Sequence, residues 1–464
     1  MIKDKFVKIN KYLREIPRTY RNDMRVPARI YISDRMWEDI EDEALLQLVN
    51  VTSLPGIIKY AIAMPDIHTG YGPPIGAVGA MRLPEGVISP GFVGYDENCG
   101  IRILKSEYSI EEIKPYLNKL AVEIQKEVPS GLGRGRQKKL SIEQVDRVLK
   151  GGVPYLVELG YGEEADIENC EEKGKMEETD TSAVSDLAKK RGRDQLGTLG
   201  SGNHFCSLER VIEVYDEKIA KVFGLFKDQV VIMVHTGSRG LGHQNCTDYL
   251  RVVMDVVEKY GIKLPDRELA CVPFNSPEGQ NFFKALNAAC NYAWANRQMI
   301  TFYVRKACKN ILGKKVKLQL LYDVAHNIAK IETYNINGKD EELLVHRKGA
   351  TRAFPEQPVL IPGSMGTASY ILAGTEKSEE AFFSACHGAG RAMSRHEAKR
   401  KISGREVLQQ LAKRGIIVKS GSLSGLAEEA PLSYKNIDEV IEVVHQAGLA
   451  KKIVQLKPLA VIKG

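Results

Sequence analysis

Apolar residues recur along this chain in two rhythms. The runs Val230-Val-Ile-Met-Val234 and Leu318-Gln-Leu-Leu-Tyr-Asp-Val324 are short and mostly apolar, which predicts buried strands. From Trp37 to Leu48 the apolar residues are spaced as on a helix, and further helices are predicted over 281–309 and 376–402. Between 61 and 104 the chain is rich in glycine, proline and hydrophobes, the pattern of short strands joined by tight turns. Residues 105–195 are the most hydrophilic stretch. They hold the basic, Gly-rich piece Gly131-Leu-Gly-Arg134-Gly-Arg136-Gln-Lys138-Lys139, an acidic piece around 163–180, and Lys189-Lys190-Arg191-Gly-Arg193. Such a stretch reads as a solvated surface insertion, with a nucleic-acid-facing arm as the alternative. No repeat of 20–50 residues and no Pro/Ser/Gly linker divides the chain. The expectation is α+β: one large mixed domain over 1–464, with central β-sheets and a charged insertion at about 105–195.

Composition removes several classes. With 464 residues, 43% hydrophobic and 27% charged, the chain is neither disordered, collagen-like nor a disulfide scaffold. No apolar run approaches the ~18 residues of a membrane span. The opening Met-Ile-Lys-Asp-Lys-Phe-Val-Lys has no apolar core of a signal peptide, so a cytoplasmic address is expected. Eight scattered cysteines form no Cys-x-x-Cys pair, which leaves zinc knuckles and thioredoxin chemistry without support and predicts mostly buried thiols. A net charge of +7 leans toward a polyanionic partner.

The nine histidines change the picture more. His204, His235, His326 and His387 stand close to glycines or at the ends of apolar runs, and Asp96-Glu-Asn-Cys99-Gly has the same setting. There a side chain is held rigidly while a ligand can approach the backbone. One such histidine is more often a core residue; four, with a thiol and a carboxylate, point to metal. Thiolate, imidazole and carboxylate together suit zinc, manganese, iron or cobalt rather than calcium or magnesium. Asp96 and Cys99 could serve two ions with the sulfur bridging, and two metals about 3.5–4 Å apart are the usual apparatus for phosphoryl groups. The P-loop motif, the zinc deaminase signature and the Lys-x-Asp-Gly motif of lysine-based ligases are absent. Three glycine loops remain as phosphate cradles: His235-Thr-Gly-Ser-Arg239-Gly, Pro362-Gly-Ser364-Met-Gly-Thr-Ala-Ser369 and His387-Gly-Ala-Gly-Arg391.

These segments closely resemble the RtcB family of RNA-splicing ligases. The resemblance lies in Asp96-x-Asn-Cys99-Gly, Gly-Ser-Gly-Asn203-His204-Phe, His235-Thr-Gly-Ser-Arg-Gly-Leu-Gly-His, Tyr-Asp-Val-Ala-His326-Asn327, His346-Arg-Lys-Gly-Ala-Thr-Arg352, Pro362-Gly-Ser364-Met-Gly-Thr-Ala-Ser369-Tyr and Cys-His387-Gly388-Ala-Gly390-Arg391, running in order from about residue 60 to Lys463-Gly464. It implies a GTP- and Mn²⁺-dependent ligase that joins RNA ends bearing a 2′,3′-cyclic phosphate or 3′-phosphate to 5′-hydroxyl ends, in tRNA splicing or RNA repair. By the same resemblance Cys99 would bridge two manganese ions, Asp96 and His204 completing one shell and His235 with His326 the other. His387 would take GMP through a phosphoramidate bond. Asn203, His326, Asn327, Pro362, Ser364, Gly388 and Gly390 would line the nucleotide, with Ser369, Tyr434 and Lys463 around guanine and Arg239 and Arg391 as phosphate clamps. RNA ends and GTP are the implied partners, with an archease-type activator left open.

One position departs. Three residues past His204 the family carries a glutamate that helps read guanine; this chain has Ser207. On an extended strand Glu209 starts about 7 Å further along, too far for simple substitution. Losing a charged hydrogen-bond partner weakens discrimination by about one to two powers of ten, so ATP is expected to be accepted measurably. Two other readings use the same residues: a dinuclear metal-dependent phosphoesterase acting on RNA ends, and a catalytically silent RNA-binding paralogue.

Overall fold

The computed structural model describes residues 2–131 and 135–464; Arg134 lies outside them. Two sheets organise the chain. The first has seven strands in the spatial order Val7–Asn10, Leu13–Ile16, Ala28–Tyr31, Ile57–His68, Ile75–Arg82, Lys339–Lys348 and Asn327–Ile336. The second runs Leu318–Ala325, Gly100–Ser109, Gln229–Thr236, Phe205–Val214, Ala450–Lys463, Ser369–Gly374 and Pro358–Ile361, with Ile417–Ser420 added in parallel to Ala450–Lys463. This is the α+β architecture expected of the sequence.

Both apolar runs are strands of the second sheet. Every residue of Gln229–Thr236 is buried because the strand is covered on both faces. Val230, Ile232 and Val234 pack with Ile300, Val304 and Ala307 of the 36-residue helix Pro277–Leu312, while Val231 and Met233 pack with Val211 and Leu456. That helix contains the predicted 281–309. Ser276 caps it by accepting from the Gly279 N–H, and Pro277 begins it.

Elsewhere the elements differ from the periodicity. The 37–48 helix is two, Asp34–Asp39 and Asp42–Val51, because Ile40 and Glu41 turn extended. Glu41 there accepts from the Thr69 backbone and hydroxyl, a partner the local pattern does not contain. The predicted helix over 376–402 is mostly absent. A 3₁₀ segment Glu376–Ala381 ends at Phe382 and Phe383, both in the left-handed region, then Ser384–Cys386 pairs as a strand with Ala350–Arg352. Only Arg395–Lys401 is helical. Pairing with a distant strand outweighs local propensity, and it delivers His387 to the end of that strand. The 105–195 stretch is largely helical. Its helix Ile142–Glu158 buries Val145, Leu149 and Val153 in the main core, and two of its carboxylates are buried against cations: Asp166 with Arg305 at 2.6 Å and Glu171 with Lys330 at 2.5 Å. Among the described residues no helix is long and apolar enough to cross a membrane.

One buried cation ties the sheet ends together. Arg297, fully buried, donates to the Asn98 and Thr236 carbonyls at 2.8 and 2.9 Å and pairs with Asp323 at 2.8 Å. Those contacts reach three segments: the turn before Gly100–Ser109, the end of Gln229–Thr236, and the strand leading to His326. Arg102 holds Asp323 from the other side at 2.6 Å. Removing one partner of a buried ion pair costs about 3–5 kcal/mol. Arg297→Met is therefore expected to lower unfolding free energy by that order and to loosen metal retention; denaturant titration with metal analysis of the folded fraction checks both.

Candidate metal and nucleotide site

Five strand ends converge above Arg297. Asp96 and Cys99 lie in a turn closed by the Cys99 N–H to the Asp96 carbonyl, 2.9 Å, with Asn98 in the left-handed region. His326 is anchored by its own N–H to the Cys99 carbonyl at 2.8 Å. Glycine at 237 is required: a Cβ there would stand 2.6 Å from the Asp96 carboxylate and 2.7 Å from the Cys99 Cα.

The side chains meet as two overlapping groups. Cys99, His235 and His326 form one; Asp96, Cys99 and His204 form the other, the donor atoms of each group lying within 4.8 Å of one another. Cys99 Sγ is 3.3 Å from His235 Nε2 and 3.4 Å from His204 Nε2, and His235 Nε2 is 3.4 Å from His326 Nε2. Asp96 Oδ2 is 2.8 Å from His204 Nε2. Burial, reinforced by neighbouring histidines, holds His235 and His326 well below the ordinary imidazole range, so they are neutral and ready to coordinate. Burial would raise Asp96, but His204 beside it holds the carboxyl at about 2. Burial and Asp96 push the Cys99 thiol up, a penalty that a bound cation removes. Each group could hold a divalent metal ion, and Cys99 is common to both.

His387 stands beside this cluster, its ring 5.0 Å from that of His326. Its Nδ1 is 2.6 Å from Asp66 Oδ2, which also accepts the His387 backbone N–H at 3.0 Å. Burial opposes ionisation of Asp66, but His387 overrides it and holds the carboxyl below the usual range. An ionised Asp66 fixes the proton on Nδ1 and leaves Nε2 as the free lone pair, the state a histidine nucleophile needs.

Asp96, Cys99, His235, His326 and His387 open on one cavity of about 380 Å³, which His204 does not line. Asn203, Asn327, Pro362, Ser364, Ser369, Gly388, Gly390, Arg391, Tyr434 and Lys463 all line the cavity. Several are already engaged. Asn327 donates to the Asp96 carbonyl and accepts from the Gly349 N–H, so it braces the ligand turn. Arg391 pairs with Glu429 and lies over the Tyr434 ring, whose hydroxyl also donates to Glu429. Burial lowers Lys463 to about 8. Arg239 is not among the lining residues; it donates to Thr198 beside the loop that carries His204.

The chain also matches known proteins along nearly its full length. Residues 47–464 match the family model described as tRNA-splicing ligase RtcB. A tRNA-splicing ligase RtcB of Archaeoglobus fulgidus is 50% identical over 474 residues, and one of Thermococcus kodakarensis 51% over 475, each alignment covering 98% of both chains. An RNA-splicing ligase RtcB of Mycobacterium tuberculosis is 48% identical, covering 90% of this chain and 100% of its own. The chain belongs to the RtcB family. It is accordingly an RNA ligase, and its buried His/Cys/Asp cluster could hold metal.

Reading this RtcB chain by pattern alone overlooks two groups and sets aside a third. Asp66 and His68 stand two apart in Met-Pro-Asp-Ile-His-Thr-Gly, the same glycine-flanked context that singled out the other histidines. Burial lowers His68 to about 3, and its ring lies 6.5 Å from His387. Arg297 was detectable only as a lone cation within the apolar helix segment Ala293-Trp-Ala-Asn-Arg-Gln-Met-Ile300. The third is Glu209. It lines the cavity with Ser207, and its Oε1 accepts from the Ser207 hydroxyl at 2.7 Å. The longer side chain spans the strand rise that sequence spacing treated as out of reach.

Proposed function

We propose that this chain joins RNA 3′-phosphate or 2′,3′-cyclic phosphate ends to 5′-hydroxyl ends using GTP and two manganese ions, with His387 carrying GMP. The observation that carries this reading is the Asp66-oriented His387 facing one cavity with both ligand groups. The His387 Nε2 lone pair attacks the α-phosphorus of GTP; a P–N bond forms, the bond to the β-phosphate oxygen breaks, and pyrophosphate leaves. A cyclic end is first opened by water, whose oxygen bonds to the phosphorus as the P–O2′ bond breaks, leaving a 3′-phosphate and a protonated 2′-hydroxyl. An oxygen of the RNA 3′-phosphate then attacks the phosphorus on His387, the P–N bond breaks, and RNA-3′-pp-5′-G results. The 5′-hydroxyl oxygen finally attacks the RNA-side phosphorus, loses its proton, and GMP departs. Asp66 holds the imidazole in one tautomer throughout, while the Gly388-Ala-Gly390 loop lets phosphate approach the backbone. Asp96, Cys99 and His204 would hold one ion, and Cys99, His235 and His326 the other. When bound, the ions supply neutralisation of phosphate charge.

Incubation with α-labelled GTP and Mn²⁺ followed by denaturing electrophoresis tests it. A labelled chain, acid-labile and alkali-stable as a phosphoramidate is, is the expected result. No label with any nucleoside triphosphate, together with hydrolysis of RNA phosphate ends, would leave the phosphoesterase reading instead.

The basic stretches divide in the structure. Arg136 lies 3.5 Å over the Tyr303 ring and donates to the Glu127 and Gly197 carbonyls, so it is a bracing residue. Lys138 and Lys139 are exposed. Replacing both by alanine is expected to weaken RNA binding and reduce its log–log salt slope by about 1.4, at about 0.7 per phosphate contact on a single strand, with self-guanylylation unchanged. Filter binding across salt concentrations decides; an unaltered slope removes them from the RNA surface.

A further inference from the structure

We propose that Glu209, held by Ser207, reads the base edge of the nucleotide and makes this chain selective for guanine. The inference rests on the nucleotide-binding reading above. Along the strand Phe205–Val214, Phe205, Ser207 and Glu209 share the face toward the cavity, while Cys206 and Leu208 pack into the core behind. The neighbouring strand slips register at this point. Pro458 pairs with Glu209 and Ala460 with Leu208, leaving Leu459 unpaired. Such bulges re-aim side chains beside binding sites.

The carboxylate has an unmet need. Glu209 is 2% exposed. Its Oε1 is satisfied by Ser207, but Oε2 is buried with no hydrogen-bond partner among the described residues, and no ion pair there includes Glu209. Burial pushes the group up to about 6, partly offset by the Ser207 hydroxyl, so at neutral pH it is mostly the anion. A buried carboxylate oxygen facing a cavity is costly unless the ligand brings a donor.

The chemistry of the ligand edge follows from the two oxygens. They accept, and only accept, when ionised. Guanine presents N1–H and the N2 amino group side by side, one donor for each oxygen. Adenine sets its N1 acceptor beside its single amino group, cytosine does the same with N3, and uracil flanks one N–H with two carbonyls. Each of those places an acceptor against the carboxylate. Ser207 cannot supply this contact by itself, because its single hydroxyl oxygen can accept from one guanine N–H but does not offer the two side-by-side acceptors of a carboxylate. Guanine selectivity is therefore retained in this chain, against the relaxed preference that Ser207 alone implies.

Two readouts on the full-length chain test this: calorimetric binding of GTP and of ATP, and competition between labelled GTP and unlabelled ATP for the covalent adduct. Wild type is expected to favour GTP by about 100-fold, and Glu209→Gln to reduce GTP affinity about 10- to 100-fold while leaving ATP unchanged or improved. Ser207→Ala is expected to weaken GTP several-fold without losing discrimination. An unfolded or loosened variant would lose both nucleotides together and melt earlier, which the ATP arm and a thermal melt reveal. A GTP-to-ATP ratio equal in wild type and Glu209→Gln overturns the proposal. Selective GTP binding without adduct would instead sink the nucleotidyl-transfer chemistry and leave Glu209 standing.

Discussion

His387→Ala is expected to form no covalent GMP adduct, a loss of at least about 10³-fold, while still binding GTP and metal. The imidazole is placed by Asp66 at 2.6 Å, and Asp66 is fully buried. Alanine removes the proposed nucleophile but also leaves that carboxylate short of a donor, at a cost of about 1–3 kcal/mol. His387→Asn separates the two effects, since its side-chain amide can donate to Asp66 in place of Nδ1. The asparagine variant should be nearly as stable as wild type by thermal melt and equally unable to take label. A labelled adduct in either variant would assign the chemistry to another residue.

Cys99→Ala should carry the other large effect, on metal content. The thiol is the one donor common to both groups, within 3.3–3.4 Å of the His204 and His235 nitrogens. Without it each ion keeps only neutral imidazoles or one carboxylate and an imidazole, and nothing sets the distance between them. Elemental analysis should find manganese falling from two per chain to well under one, with adduct formation lost. In wild type, Mn²⁺ at a hundred times its dissociation constant should raise unfolding free energy by about 2.7 kcal/mol; in the variant that increment should vanish. Near wild-type manganese in Cys99→Ala would end the bridging assignment.

Much of the candidate site was legible because each residue of the two groups sits in a motif whose local signal is strong. A histidine at the end of an apolar run beside glycine, as at 235 and 326, announces itself without knowledge of its neighbours. The long helix and the two central strands were legible for the same reason, since burial on one or both faces imposes a short period on the chain.

What the amino-acid sequence determined by itself was the identity of the donors and the elements that carry them. The tertiary structure decided which of them meet. Asp66 and His387 are 321 residues apart, and no periodicity links them. Arg297 acquires its role only because Asn98, Thr236 and Asp323 converge on one guanidinium. The segment 376–402 keeps a helical rhythm yet lies partly in a strand, because Ser384–Cys386 finds Ala350–Arg352. Glu209 is one more acidic residue on a strand until a register slip and a neighbouring hydroxyl turn its carboxylate into a cavity wall. In each case the deciding energy is the desolvation of a polar group, and its sign depends on a partner that only the folded chain supplies.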